Sequence, residues 1–237
     1  MILVYARRMK LLALDTAANL CSVAILDVET GAILAASSED IGKGHAERLM
    51  AAIEQVVTAA QIAITDIGKI AVSIGPGSFT GVRVGVSTAR GFALALKCPA
   101  VGISTLQALA YDAAKASSNR PILSIIDARR DELYAQFFGQ DGSAASEPMV
   151  TTLPMILQQL GERGSKHALS GSGAALINEK LDQPLDVTTT AATGSIEAFA
   201  QLGALYIGDS EAPKPLYLRG LDVKQQQGFV LKRKVVK

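Results

Sequence analysis

Apolar and polar positions recur along the chain in an order that repeats once. Apolar runs predict strands at residues 10–15, 21–27 and 32–37, and the turn Glu29-Thr30-Gly31 makes the last two an antiparallel pair. The period then changes to helical, with Leu49, Ile53, Val56, Val57 and Ala60 on one face of a helix predicted over 45–60. A buried-strand run at 70–74, a glycine turn, a helix over 81–96, a short strand at 100–103 and a helix capped by Ser104 through Ala114 complete the first half. Beyond the polar stretch 115–120 the order returns. Strands are predicted at 121–127, 132–138 and near Met149, a helix at 154–160, a strand at 168–170 and a helix from the turn Gly171-Ser172-Gly173 to about Leu181. A strand at 185–188 and a helix at 195–207 end the series. Each half reads βββαβαβα, which predicts two similar α/β lobes facing one another across a cleft. The expected boundaries are residues 9–105 for the first lobe and 106–194 for the second. The chain from about 195, including a strand at 215–219, is expected to fold back on the first lobe.

The run GPGSFTGVRVG, residues 75–85, joins a strand exit, a glycine turn and a helix start. Ser78 or Thr80 supplies the cap. Such a turn resembles an anion site, yet the P-loop spacing needs a lysine after its last glycine, and Val82 follows Gly81. The dinucleotide spacing fails as well, because three residues separate Gly77 from Gly81. Along the helix, Gly81, Gly85, Ala89 and Ala93 form a row of small residues. Interior glycines cost about 1 kcal/mol each relative to alanine, so the row implies that another backbone comes close, either a partner's or that of the helix's own sheet.

Composition narrows the class. The chain has 237 residues, 49% of them hydrophobic, enough for a large core, and 23 basic against 22 acidic side chains leave a net charge of +1. That balance argues against a dedicated nucleic-acid-binding module. Cys21 and Cys98 form no metal-ligand spacing and are expected to be free thiols in a reducing, cytoplasmic setting, with no membrane span. Met9 is expected to be the natural start, with residues 1–8 an alternative-start or disordered extension.

The duplicated order is similar to that of the actin, hexokinase and Hsp70-like superfamily. Asp15-Thr16 and Asp127-Ala128 close equivalent strands of the two halves, where superfamily kinases face metal and phosphates. A turn or cap role is the alternative for each aspartate. The segment Asp15-Thr16-Ala17-Ala18 lacks the glycine that lets backbone approach a triphosphate. A vestigial nucleotide cleft would draw on Asp15, Thr16, Asp127, Arg129, Arg130, Gly171 and Gly173.

The motifs LLALDT (11–16), HAERLM (45–50), IGPGSFTGVRVG (74–85), DARRDELYAQFF (127–138) and PLYLRG (215–220) together resemble the TsaB (YeaZ) family. The resemblance implies a non-catalytic subunit for t6A modification at adenosine 37 of tRNAs reading codons that begin with A. Its implied partners are a TsaD-type catalytic paralogue and a TsaE-type ATPase, with a homodimer when alone. ATP or ADP and metal are expected on the partners or at their contact, not on the isolated chain, and tRNA only indirectly or weakly. The paralogue's HxxxH metal pair is not reproduced, since Leu49 stands four residues after His45. The chain is thus expected to be a pseudoenzyme whose contact surface is formed by His45, Leu49, Ile53, Val57, Gly81, Val82, Gly85, Val86 and Ala89. A metallopeptidase-like enzyme or an ATP-dependent small-molecule enzyme of the same superfamily is the alternative. Ser78 and Ser172 miss the GxSxG nucleophile pattern. Direct tRNA contact through Lys232, Arg233, Lys234 and Lys237 is a further alternative to a solvated tail.

Overall fold

Strand β1 (Lys10–Asp15) is buried at every position, as an unalternating apolar strand is when helices cover both faces of its sheet. A computed structural model, which describes residues 9–116, 119–164, 166–206 and 211–219, shows that arrangement twice. In the first sheet, β2 (Leu20–Asp27) and β3 (Ile33–Asp40) run antiparallel on one side of β1, and β4 (Ile67–Ser73) and β5 (Ala100–Ile103) run parallel on the other. The second sheet is centred on β6 (Ile122–Arg129). It has antiparallel β7 (Glu132–Phe138) and β8 (Met149–Thr152) on one side and parallel β9 (Ala168–Ser170) and β10 (Val187–Thr189) on the other. The orders β3-β2-β1-β4-β5 and β8-β7-β6-β9-β10 are the same order in each half. This is the duplicated, two-lobed α/β fold expected from the order of elements, with one five-stranded mixed sheet in each lobe.

Among the described residues, six α-helices fill the layers. On one face of the first sheet lie α1 (His45–Ala59) and α2 (Phe79–Leu96), whose Leu49, Ile53, Val82 and Val86 meet Leu12, Leu14, Ile25 and Val72. The other face is covered by α6 (Ile196–Leu205), through Ile196 and Phe199 against Leu11, Ala13 and Ala71. In the second lobe, α4 (Leu153–Arg163) and α5 (Ala174–Asn178) pack on Leu123, Ile125 and Phe137. Its opposite face takes α3 (Thr105–Ala116), with Leu106 and Leu109 against Ile122, Ile126 and Phe138. The last helix of each half therefore lies on the sheet of the other half.

Differences from the expected elements have local causes. Helix α2 starts at Phe79 because Ser78 Oγ accepts the Gly81 N–H at 3.2 Å, which settles the cap on Ser78. Helix α5 stops at Asn178, whose amide group donates to Leu185 O at 2.9 Å and accepts from Leu185 N at 3.0 Å. The 215–219 segment joins neither sheet: Leu216 N–H donates to Ile74 O at 2.8 Å in the first lobe, and Leu218 packs with the α3 cluster of the second. Residues 1–8, Gly220 and the tail cations Lys232, Arg233, Lys234 and Lys237 lie outside the described residues. Among the described residues, no helix is long and apolar enough to cross a membrane.

Candidate functional site

The glycine run is explained by its own lobe. After β1 the chain turns through Thr16 and Ala17, and the 75–81 loop lies directly on that turn. Ser78 N–H donates to Ala17 O at 2.7 Å, and Thr16 Oγ1 donates to Gly81 O at 2.7 Å. A Cβ on Gly77 would stand 2.3 Å from Ala17 O, one on Gly81 2.0 Å from Thr16 O, and one on Gly85 2.5 Å from Thr16 Oγ1. No side chain fits in that space.

This placement corrects the expected contact surface. His45, Leu49, Ile53, Gly81, Val82, Gly85, Val86 and Ala89 are all buried within the first lobe, and Val57 is half-buried. His45 uses Nε2–H to reach Leu20 O at 3.2 Å. Apolar helical rows face inward here because the sheet beneath needs them. The opposite sides of the same two helices carry large apolar groups in solvent. Met50 of α1 is 55% exposed, and Phe79 and Leu94 of α2 are 53% and 82% exposed. Between them, Ala46, Thr80, Arg83, Val84 and Ser87 line a shallow groove.

A cleft of about 800 Å³ separates the lobes. Its first-lobe wall contains Ala17, Asn19, Lys43, Pro76 and Ser78, its second-lobe wall Asp127, Arg129, Arg130 and Ser172, and a third side is closed by residues 216–219. Of the proposed cleft residues, the structure brings Asp127, Arg129 and Arg130 together and leaves the others out. Asp15 and Thr16 are 1% and 0% exposed. Gly171 and Gly173 pack against Ile125 behind the wall, and the serine between them is the residue that faces the cleft, its Oγ accepting the Asp127 N–H at 3.1 Å. Lys43, Tyr134, Tyr217 and Arg219 also line the cleft, outside the set expected from the sequence. Lys43 had a local signal: Gly42 and Gly44 flank it, both with positive φ, at 62° and 90°.

The hairpin between β6 and β7 carries backbone strain. Arg129, Arg130 and Asp131 have φ of 61°, 56° and 61°, three consecutive non-glycine residues in the left-handed region. The two central residues fit the twist of a tight hairpin, and Asp127 Oδ1 accepts the Arg129 N–H at 2.7 Å. The turn thereby projects Arg129 and Arg130 into the cleft.

The donor set does not fit the metal-bound nucleotide of superfamily kinases. Asp15 is engaged inside the lobe, Oδ1 accepting from Ala17 N at 2.9 Å and Oδ2 from Thr193 Oγ1 at 2.7 Å. Burial pushes its carboxyl above the usual carboxylate range, against the lowering effect of hydrogen bonds with Ser73, Ala17 and Thr193. Among the described residues, no group of three or more His, Cys, Asp or Glu side chains is placed to hold a metal.

Residues 37–200 match the model of the family described as TsaD, tRNA N6-adenosine threonylcarbamoyltransferase. The chain belongs to this family, as a TsaB/YeaZ member. It is 37% identical over 133 residues to the tRNA threonylcarbamoyladenosine biosynthesis protein TsaB of Escherichia coli, covering 56% of each chain. With TsaB of Bacillus subtilis the identity is 34% over 130 residues, 55% of each. The chain thus spans about half the length of the curated relatives it matches. Among solved structures, a Pseudomonas aeruginosa protein described as similar to the peptidase YeaZ superposes with a TM-score of 0.78 at 28% identity, over 89% of this chain and 100% of that one. YeaZ from the same organism gives 0.69 at 28%, over 82% and 91%.

Proposed function

We propose that this chain is the non-catalytic partner of a TsaD-type threonylcarbamoyl transferase in t6A biosynthesis, acting in the cytoplasm. The observation that carries this reading is that the adjacent helices α1 and α2 of one lobe leave the large apolar side chains Met50, Phe79 and Leu94 exposed. A two-helix face bearing such groups fits a protein contact. The names of the TsaB relatives supply the pathway. The TsaD-type paralogue docks on this face, and a second copy of the chain occupies it when the paralogue is absent. A TsaE-type ATPase completes the assembly, and ATP or ADP with metal belongs to the partners or to their contact. The tRNA is reached through the assembly.

Size-exclusion chromatography with light scattering tests the reading on the chain alone and mixed with a TsaD-type protein. A t6A assay with a TsaE-type ATPase, threonylcarbamoyl-adenylate and tRNA follows. A complex whose activity requires both chains supports it; failure to associate, or catalysis by this chain alone, overturns it.

A further inference from the structure

The two lobes are joined by the chain at two neighbouring crossings, from β5 into α3 and from β10 into α6. Both pass beside the α3–α6 contact, where Asp112 of α3 accepts from the backbone and hydroxyl of Ser195 at 2.7 and 2.8 Å. Two crossings on one side leave a hinge. A third connection, residues 213–219, crosses from lobe to lobe and is held at both ends by side chains.

Its first-lobe end is fixed by Pro213 packed near Gly102, by Leu216 N–H on Ile74 O, and by Tyr217, whose hydroxyl accepts from Arg83 Nε at 2.7 Å. The Tyr217 ring also lies 5.8 Å from Phe79. At the second-lobe end Leu218 joins the α3 cluster. Arg219 pairs with Glu132 and reaches Ala128 O and Arg129 O at 3.4 and 3.5 Å, spanning the strained hairpin. The clasp is incompletely satisfied: Arg219 Nε is buried with no hydrogen-bond partner among the described residues. A buried cationic donor left open offsets part of what the ion pair contributes, so the closed state is held by a modest margin.

We infer that residues 213–219 form a releasable clasp that sets the opening of the interlobe cleft, with Arg219 and Glu132 as its latch. When the latch opens, the lobes hinge about the α3–α6 contact and the cleft loses its third wall. This inference stands on the chain alone and does not depend on the partner reading.

The test is a distance distribution between nitroxide labels at Glu54→Cys on α1 and Glu162→Cys on α4, in a Cys98→Ser background. The labelled protein with the latch intact should give one narrow distribution. Arg219→Ala and Glu132→Gln should each raise a longer-distance population roughly tenfold, the size expected when one partly buried charge-assisted hydrogen bond is lost. Tyr217→Ala, which frees the other end, should produce the same longer distance. Circular dichroism checks that each variant is folded; Glu132→Gln keeps the side-chain shape and decides the matter if Arg219→Ala does not fold. Superimposable distributions for Glu132→Gln and its parent overturn the inference.

Discussion

Thr193 donates its hydroxyl to Asp15 Oδ2 at 2.7 Å, a bond across 178 positions that ties the approach to α6 to the end of the first strand. The carboxylate at the end of β1 is thereby a structural acceptor. Its counterpart Asp127, near the end of the equivalent strand, is exposed in the cleft. The two halves share a topology and have divided its chemistry.

Asp15 should make stability fall with rising pH. A carboxyl whose folded pKa is raised gives its full stability below the unfolded pKa and loses it as pH rises through the folded value. Asp15→Asn keeps an acceptor for Ala17 and removes the titration. Melting temperatures measured from about pH 4 to 8 should therefore decline more steeply for the natural protein than for Asp15→Asn. Parallel curves would show that the site is not titrating.

Two glycines of α2 should respond oppositely to a methyl group. Gly81→Ala places a Cβ 2.0 Å from the Thr16 carbonyl oxygen and should cost about 3 kcal/mol by forcing the helix off its sheet. Gly91 has nothing within 4 Å of its ideal Cβ position, so Gly91→Ala should gain up to about 1 kcal/mol through helix propensity. Urea unfolding curves resolve both.

Docking should depend on the outward rows of α1 and α2. Leu94→Asp and Met50→Asp, at positions 82% and 55% exposed, should leave the melting temperature within a degree or so and weaken binding to a TsaD-type partner by about 100-fold. Isothermal titration gives the affinity, and unaltered binding would move the contact elsewhere.

Ser195 caps α6, accepting the Ala198 N–H at 3.1 Å while both of its own donors go to Asp112. Ser195→Ala should cost about 1 kcal/mol. In a double-mutant cycle with Asp112→Ala, the combined loss should be smaller than the sum by roughly 0.5 kcal/mol or more, because each change breaks the shared bond. Strict additivity in denaturation would mean the link is not made in solution.

The strands and helices were legible because buried strands are apolar without interruption and helices keep their period. The duplication followed from their order. The facing of a row was not legible: Gly81, Gly85 and Ala89 share a side at helical spacing whether the neighbour is a partner or Thr16 of the same lobe. Asp15 and Asp127 likewise look equivalent at the ends of their strands, and only the distant Thr193 and the burial around it separate them. Tyr217 and Arg219 sit in a segment that reads as a strand, and their joining of α2 to the β6–β7 hairpin exists only in three dimensions.

The exchange of last helices between halves also sets the order in which the protein can be finished during synthesis. Strands β1, β2 and β4 leave the ribosome early, yet Leu11, Ala13 and Ala71 stay uncovered on one side until residues 196–205 follow. The first lobe must wait until residue 205 has been made, exposing apolar strand surface for seconds at ordinary translation rates of about 5–20 residues per second. Chains released before α6 would present that bare sheet face to one another, making premature termination an aggregation hazard.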